Sequence, residues 1–138
     1  SVVISSANDR RDEDIRGQTR ILGAAFDDVI LYQDACQRGR TDGEVLALLR
    51  QGLEGASRTQ QVDEIHGEFI AIDRALDRLK TGDLCLILID QVEEALAHIQ
   101  RRVDEAARAQ AKPVVAKKVP SKPKRRKLST TVALGLHL

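Results

Sequence analysis

The sequence predicts an α/β fold: a Rossmann-like, doubly wound and mainly parallel sheet of about four strands with helices on both faces, followed by a disordered basic tail. The sheet is predicted because short apolar runs rich in β-branched residues alternate four times with amphipathic stretches of helical period. The tail is predicted from the distribution of charge. Residues 1–105 carry 13 Lys and Arg against 21 Asp and Glu, whereas residues 106–138 carry nine basic residues and no acidic one.

The first half of the chain contains two strand–helix units. Val2–Ser5 is a short strand, and the helix predicted over Asp12–Phe26 has an acidic first turn, which suits the positive end of the helix dipole. Asp28–Tyr32 is the second strand. Thr41 and Glu44 have the spacing of a capping box, so Thr41 is predicted as the N-cap of a helix that ends near residue 53. The residues expected to be buried by that helix are Val45, Leu48, Leu49 and Leu53.

The second half repeats the pattern with a weaker and a stronger strand. Gln61–Ile65 alternates weakly and is placed near a sheet edge, and a helix follows over Glu68–Leu79 with Phe69, Ile72, Leu76 and Leu79 at helical spacing. Leu84–Ile89 is apolar throughout, which predicts a central strand covered on both faces. The last helix is predicted over Val92–Ala107. Its expected buried residues are Val92, Leu96, Ile99 and Val103.

These elements divide the chain into a domain over residues 1–107 and a tail over residues 108–138. The tail contains all three prolines and a dense run of Lys and Arg, with little that could pack, so it is predicted to be disordered. A solvated tail without a specific partner and a tail that contacts polyanions are both compatible with this composition.

Several classes of site are absent from the sequence. The two cysteines, Cys36 and Cys85, form no CxxC pair, and the three histidines have no ligand spacing, so no metal site is expected. No phosphate-binding GxxxxGK[ST] loop, GxGxxG fingerprint or nucleophilic triad is found, and no catalytic residue is assigned. Nothing resembles a signal peptide or a membrane helix, so a cytoplasmic location is the expectation, with no membrane partner.

Charged residues follow three of the predicted strands, where an open parallel sheet binds its ligands. Carboxylates there suit a cationic group, and guanidinium groups suit a carboxylate or a phosphate. The ligand would therefore be an amino acid or a nucleotide. The alternative is that these charges only cap helices and solvate loops. The candidate binding residues are Arg10, Asp34, Arg38, Arg40, Asp90 and Glu93.

Three blocks of sequence carry a resemblance to a known family. They are "DRRDEDI" after the first strand, "AFDDVILYQDACQRGRTDGEVLALLRQGL", and "GDLCLILIDQVEEALAHI". In these blocks the chain resembles the C-terminal part of the Mur ligase-type domain of cyanophycin synthetases, over roughly residues 1–104. The RGR and GE pairs of the second block are part of the match. Ser6 and Asn8 stand where the family pattern leads one to expect glycine.

The resemblance implies a function for a larger enzyme. Cyanophycin synthetases add aspartate to a poly-aspartate backbone with one domain and attach arginine to each aspartate side chain with another. Both steps use ATP and Mg²⁺ and pass through an acyl-phosphate. The resemblance implies that this chain is the last lobe of the arginine-adding half, and that ATP and Mg²⁺ are bound mainly by lobes outside it. Alone, the chain is expected to be inactive.

The resemblance also implies roles for the candidate residues. Arg10 matches the arginine of the family's first loop and is a candidate to contact the incoming amino acid or the nucleotide. Asp34 opens the amino-acid-selecting loop, in which Arg38 and Arg40 follow. Glu93 matches the acidic residue of the last loop, with Asp90 beside it. The implied partners are arginine, aspartate, ATP and the growing polymer, with homo-oligomerisation through domains outside this chain.

Two other readings of the sequence stay open. One is a free-standing Rossmann-like module that binds a nucleotide or an amino acid. The other is a non-catalytic interaction domain whose basic tail binds a polyanion, in which case binding would weaken steeply with salt.

Overall fold

The computed structural model describes residues 1–5, 10–33 and 39–111. The elements in chain order are β1 (Val2–Ile4), α1 (Asp12–Ala25), β2 (Asp28–Gln33), α2 (Glu44–Gly52), β3 (Gln61–His66), α3 (Glu68–Arg78), β4 (Leu86–Ile87) and α4 (Val92–Ala111). The four strands form one parallel sheet in the order β3-β2-β1-β4. The predicted α/β fold with a four-stranded parallel sheet is confirmed.

Alternate residues of the two inner strands build two cores, one on each face of the sheet. On one face, Val2 and Ile4 of β1 and Val29 and Leu31 of β2 pack with α1 and α2, where Leu49 is fully buried. On the other face, Val3, Ile30 and Tyr32 pack against Ala71 and Ala75 of α3. Helices therefore lie on both faces, because residues of each inner strand point alternately to opposite sides. The burial predicted for α2, from Val45 to Leu53, is confirmed.

The two outer strands differ from each other in how well the sequence predicted them. β3 lies at an edge, as its weak alternation indicated. The prediction that Leu84–Ile89 forms a central strand is wrong: only Leu86 and Ile87 pair, and β4 is the other edge of the described sheet. Leu86 pairs with Val2 and so faces the side of α1 and α2, but it is 38% exposed, and its neighbour Leu84 is 74% exposed. An unbroken apolar run indicates two apolar faces, but it does not place helices over both of them.

The predicted burial along α4 is also mostly wrong. Val92, Leu96 and Val103 are each more than half exposed, Ile99 is partly buried, and Ala95 is the fully buried residue of the helix. α4 packs against α3, where polar contacts contribute: His98 Nε2 lies 2.8 Å from Asp73 Oδ1, and Arg102 also approaches Asp73. The apolar stripe of α4 is exposed because β4, which precedes it, is an edge strand with no further described element beside it.

The start of α2 corrects the predicted helix cap. The N-cap is Gly43, at φ +79°, and Thr41 lies two residues before it. The predicted pair does form, since the backbone N–H and the hydroxyl of Thr41 both donate to Glu44 Oε2, at 3.1 and 3.0 Å. A left-handed conformation is favourable for glycine, so the chain turns at Gly43 and the helix begins later than the capping-box pattern indicated.

At its other end the domain extends slightly beyond the predicted boundary. α4 continues to Ala111, so residues 108–111 are helical and do not belong to the predicted disordered tail. Residues 112–138 lie outside the described part of the chain. No helix within the described ranges combines the length and the apolar character that crossing a membrane requires.

Candidate functional site

The strand order places one candidate site at the carboxyl ends of β1 and β4. From β1 the chain crosses to β2 on one side, whereas β4 pairs with the opposite side of β1. Such a reversal of strand order opens a crevice, and ligands of open α/β sheets bind in it. Arg10 follows β1, and Asp90 and Glu93 follow β4, so these predicted residues flank the reversal; the edge of the sheet that carries them is called the rim below.

Arg10 supplies a guanidinium at this edge that is available to a ligand. The residue is exposed and forms no close ion pair within the described ranges, although its charge contributes, after that of Arg11, to the lowered pKa of the Asp14 carboxyl. Its backbone is held in place, because the Arg10 carbonyl oxygen accepts a hydrogen bond of 2.6 Å from Arg40 Nη2.

Arg40, by contrast, is already engaged. Its side chain is only 15% exposed and forms ion pairs with Asp12 at 2.9 Å and Glu44 at 2.5 Å. With the bond to the Arg10 carbonyl, one guanidinium connects the loop after β1, the start of α1 and the start of α2. The structure thus places Arg40 beside Arg10, with its charge balanced by two carboxylates.

Glu44 is held ionised by the same contacts. The backbone N–H of Thr41, the Arg40 guanidinium and the Thr41 hydroxyl, in that order of effect, lower the pKa of the Glu44 carboxyl from its usual 4.5. Because the folded-state pKa is depressed, this contribution to stability is present above about pH 4.5 and is lost as the pH falls through the lowered value.

Asp90 and Glu93 supply the carboxylates on the β4 side. Both are exposed, and no ion pair joins either side chain to another described residue. Glu93 lies in the first turn of α4, where the helix dipole favours a negative charge. The remaining two predicted residues, Asp34 and Arg38, lie outside the described part of the chain.

Two buried polar residues under this rim were not singled out from the sequence. Gln33, at the end of β2, donates to Asp42 and accepts from the Gly43 N–H at 2.9 Å, which ties the strand to the start of α2. Glu68, the first residue of α3, is 2% exposed. An acidic residue in a first helical turn is ordinary in a sequence, so nothing distinguished Glu68 from a solvent-exposed helix start.

Glu68 holds the backbone on the β4 side of the rim. Its Oε1 accepts hydrogen bonds from the Asp90 N–H at 2.7 Å and lies 3.2 Å from the Tyr32 hydroxyl, and its Oε2 accepts from the Gln91 N–H at 3.3 Å. The Tyr32 hydroxyl also lies 3.2 Å from the Leu88 carbonyl oxygen. These contacts connect the ends of β2 and β4.

The described residues do not fit a metal site. Within residues 1–5, 10–33 and 39–111, no group of three His, Cys, Asp or Glu side chains is positioned to hold a metal ion. The Mg²⁺ that the family resemblance implies is therefore not assigned to any of them.

A groove of about 450 Å³ lies at a different place, along the edge strand β3. Two of its arginines are paired, Arg50 with Glu64 at 2.7 Å and Arg78 with Asp63 at 2.6 Å. Charged side chains at an open strand commonly protect it from pairing with other chains. The groove lies away from the strand ends, so we assign the candidate site to the rim.

Comparison with known proteins identifies the relatives of this chain. No protein-family model matches it. It is 32% identical over 100 residues to a cyanophycin synthetase of Crocosphaera subtropica, 31% identical over 99 residues to one of Geminocystis herdmanii, and 29% identical over 100 residues to one of Synechocystis. Each match covers 72% of this chain, but the chain spans only 11–12% of the length of these relatives. The resemblance carried by the sequence motifs is thus confirmed: this chain is related to a segment of cyanophycin synthetase.

Proposed function

We propose that this chain is the substrate-orienting lobe of an ATP-dependent ligase that attaches arginine to the aspartate side chains of a poly-aspartate backbone. The observation that supports this best is the composition of the rim. An exposed arginine follows β1 and two exposed carboxylates follow β4, at the same end of the parallel sheet, in a chain related to cyanophycin synthetase.

Arginine has the charges that such a rim would bind. Asp90 and Glu93 would accept hydrogen bonds from the substrate guanidinium, and Arg10 would donate to its α-carboxylate. Arg40 would keep the Arg10 loop in place through the Arg10 carbonyl. Asp34 and Arg38, in the loop that matches the family's amino-acid-selecting loop, would complete the set.

The contribution of this lobe would be orientation and electrostatics. Holding the substrate at both ends would aim its amine at an acyl-phosphate formed elsewhere in the enzyme. The two reacting groups would then meet in a fixed orientation and would not depend on random collision. ATP and Mg²⁺ would be bound by other parts of the ligase, and its oligomeric contacts would lie there as well. The basic tail would hold the anionic growing polymer. The isolated chain would be inactive.

A chimeric enzyme tests the proposal. The matching segment of the Crocosphaera subtropica relative is replaced by this chain's 100 matched residues, and ATP turnover is measured with aspartate and, separately, with arginine. Aspartate-dependent turnover controls for folding of the remainder. We expect arginine-dependent turnover, and a KM for arginine raised roughly 10-fold or more in the Asp90→Asn and Glu93→Gln variants, since each loses a charge-assisted hydrogen bond. Glu54→Gln, an exposed carboxylate just after α2 and away from the strand ends, is the matched control.

Three results would contradict the proposal. A chimera with aspartate-dependent but no arginine-dependent turnover would show that the segment does not serve arginine addition. Tight binding of ATP by the isolated chain would favour the free-standing nucleotide-binding module instead. Salt-sensitive polyanion binding that disappears on deletion of residues 108–128, without any effect on turnover, would favour the interaction domain.

A further inference from the structure

Glu68 is a buried carboxylate without a basic partner in the described structure. It is 2% exposed, and no Lys, Arg or His pairs with it among the residues described. A buried charge is costly unless hydrogen bonds replace its water. Here the donors are the Tyr32 hydroxyl and the N–H groups of Asp90 and Gln91.

Through these contacts Glu68, which belongs to α3, caps the start of a different helix, α4. Gln91 directly precedes α4, and its carbonyl oxygen accepts the first helical hydrogen bond, from the Ala95 N–H at 2.8 Å. The N–H groups at such a helix start have no partner within the helix. Glu68 accepts from one of them, the Gln91 N–H, and from the Asp90 N–H just before the helix, while its carboxylate lies at the positive ends of both α3, which it begins, and α4.

The same carboxylate connects β2 with the segment that follows β4, across β1. Tyr32 belongs to β2, Asp90 follows β4, and β1 lies between these strands. We infer that Glu68 is a positioning residue that sets the place of Asp90 and Glu93 at the rim, so that both carboxylates meet the cationic end of the amino-acid substrate. This inference rests on the proposed function.

The first test measures the contact itself, in the full chain. Amide hydrogen exchange of Asp90 and Gln91 is followed by NMR in the unsubstituted chain, Glu68→Gln and Tyr32→Phe. Gln keeps the shape of Glu68 but turns one acceptor into a donor, so we expect exchange of these amides to accelerate about 10-fold or more. Tyr32→Phe removes one donor and should give a smaller change. Glu64→Gln, on the edge strand β3, should leave both amides unchanged.

The second test measures the consequence, in the chimeric enzyme. We expect Glu68→Gln to raise the KM for arginine about 10-fold, with the KM for ATP and the aspartate-dependent turnover unchanged, because only the amino-acid side of the site moves. Tyr32→Phe should also raise the KM for arginine, and this variant replaces Glu68→Gln in the test if Glu68→Gln fails to fold.

The outcomes separate the inference from the proposed function. Accelerated exchange with an unchanged KM for arginine would show that Glu68 only stabilises the fold, and would overturn the inference alone. Unchanged exchange would also overturn it. Loss of arginine-dependent turnover in the unsubstituted chimera would overturn both, and that case is recognised before any substitution at position 68 is made.

Discussion

Thr19 connects the first two helices through one buried hydroxyl. The side chain is fully buried in α1, and its Oγ1 donates to the Leu49 carbonyl oxygen at 2.6 Å. Leu49 is among the last four residues of α2, whose carbonyl groups have no partner within the helix. A hydroxyl from one helix therefore satisfies an acceptor at the end of another, in an environment that water does not reach.

We expect Thr19→Val to lower the free energy of unfolding by about 1–3 kcal/mol, because it keeps the shape of the side chain and leaves the buried Leu49 carbonyl without its donor. Thr19→Ser keeps the hydroxyl and loses a methyl group, at a cost of about 0.8 kcal/mol. Urea denaturation of the full chain, followed by circular dichroism, measures both. A Val variant as stable as the unsubstituted chain would show that this hydrogen bond contributes nothing.

At the scale of elements, the contact between α1 and α2 depends on a glycine. Gly52 is the last residue of α2, and a Cβ atom there would collide with the Arg16 carbonyl and the Thr19 hydroxyl. The absence of a side chain lets the two helices approach at this point. Gly17, in the middle of α1, is different: apart from its chain neighbours and the backbone of its own helix, a Cβ atom there would have nothing within 4 Å.

Two Gly→Ala substitutions should therefore have opposite effects on stability. Gly52→Ala should lower the free energy of unfolding by about 1–3 kcal/mol, since backbone must move to make room. Gly17→Ala should raise it by about 0.5–1 kcal/mol, because alanine restricts the unfolded chain and nothing opposes it in the helix. Thermal or urea unfolding of the two variants provides the comparison. Destabilisation by Gly17→Ala would mean that α1 packs against something at that point.

At the scale of the whole molecule, the sheet is covered by helices on both faces except at β4, where one face is exposed. Cys85 and Ile87 pack against the core under α3, while Leu84, Leu86 and Leu88 on the opposite face are between 38% and 74% exposed. The cause is the strand order, since α1 and α2 cover β1 and β2 but leave the neighbouring edge strand uncovered.

This asymmetry predicts unequal effects of substitution within one short segment. Leu84→Ala should change the free energy of unfolding by less than about 0.5 kcal/mol, because most of its side chain is already in water. Ile87→Ala should cost at least about 1 kcal/mol, because it removes apolar contacts with the core. Equal losses at the two positions, measured by urea denaturation, would indicate that the exposed face is covered when the chain is in solution.

The periodicity of apolar residues was sufficient to predict most helices and strands, but not to predict where each one lies in the fold or what covers it. The strand Asp28–Tyr32 and the helices after it were predictable from local pattern, because the alternation of apolar residues is set by backbone geometry. The position of Leu84–Ile89 was not, since an apolar run has the same sequence whether it lies inside a sheet or at its edge. At the rim, Arg10, Asp90 and Glu93 could be predicted as residues that follow strands. Glu68 could not, because its importance depends on contacts with residues 22 and 23 positions away and on its burial.

The sequence by itself determined the parallel α/β architecture, the kinship with cyanophycin synthetase, and which charged residues follow the strands. These properties depend on local pattern and on matched residues, which are read along the chain. Only the tertiary structure decided that β4 is an edge strand, that Arg40 is engaged by Asp12 and Glu44, and that Glu68 holds the backbone at the start of α4. Those properties depend on contacts between distant residues, and the strand order that creates such contacts is fixed by how whole elements pack.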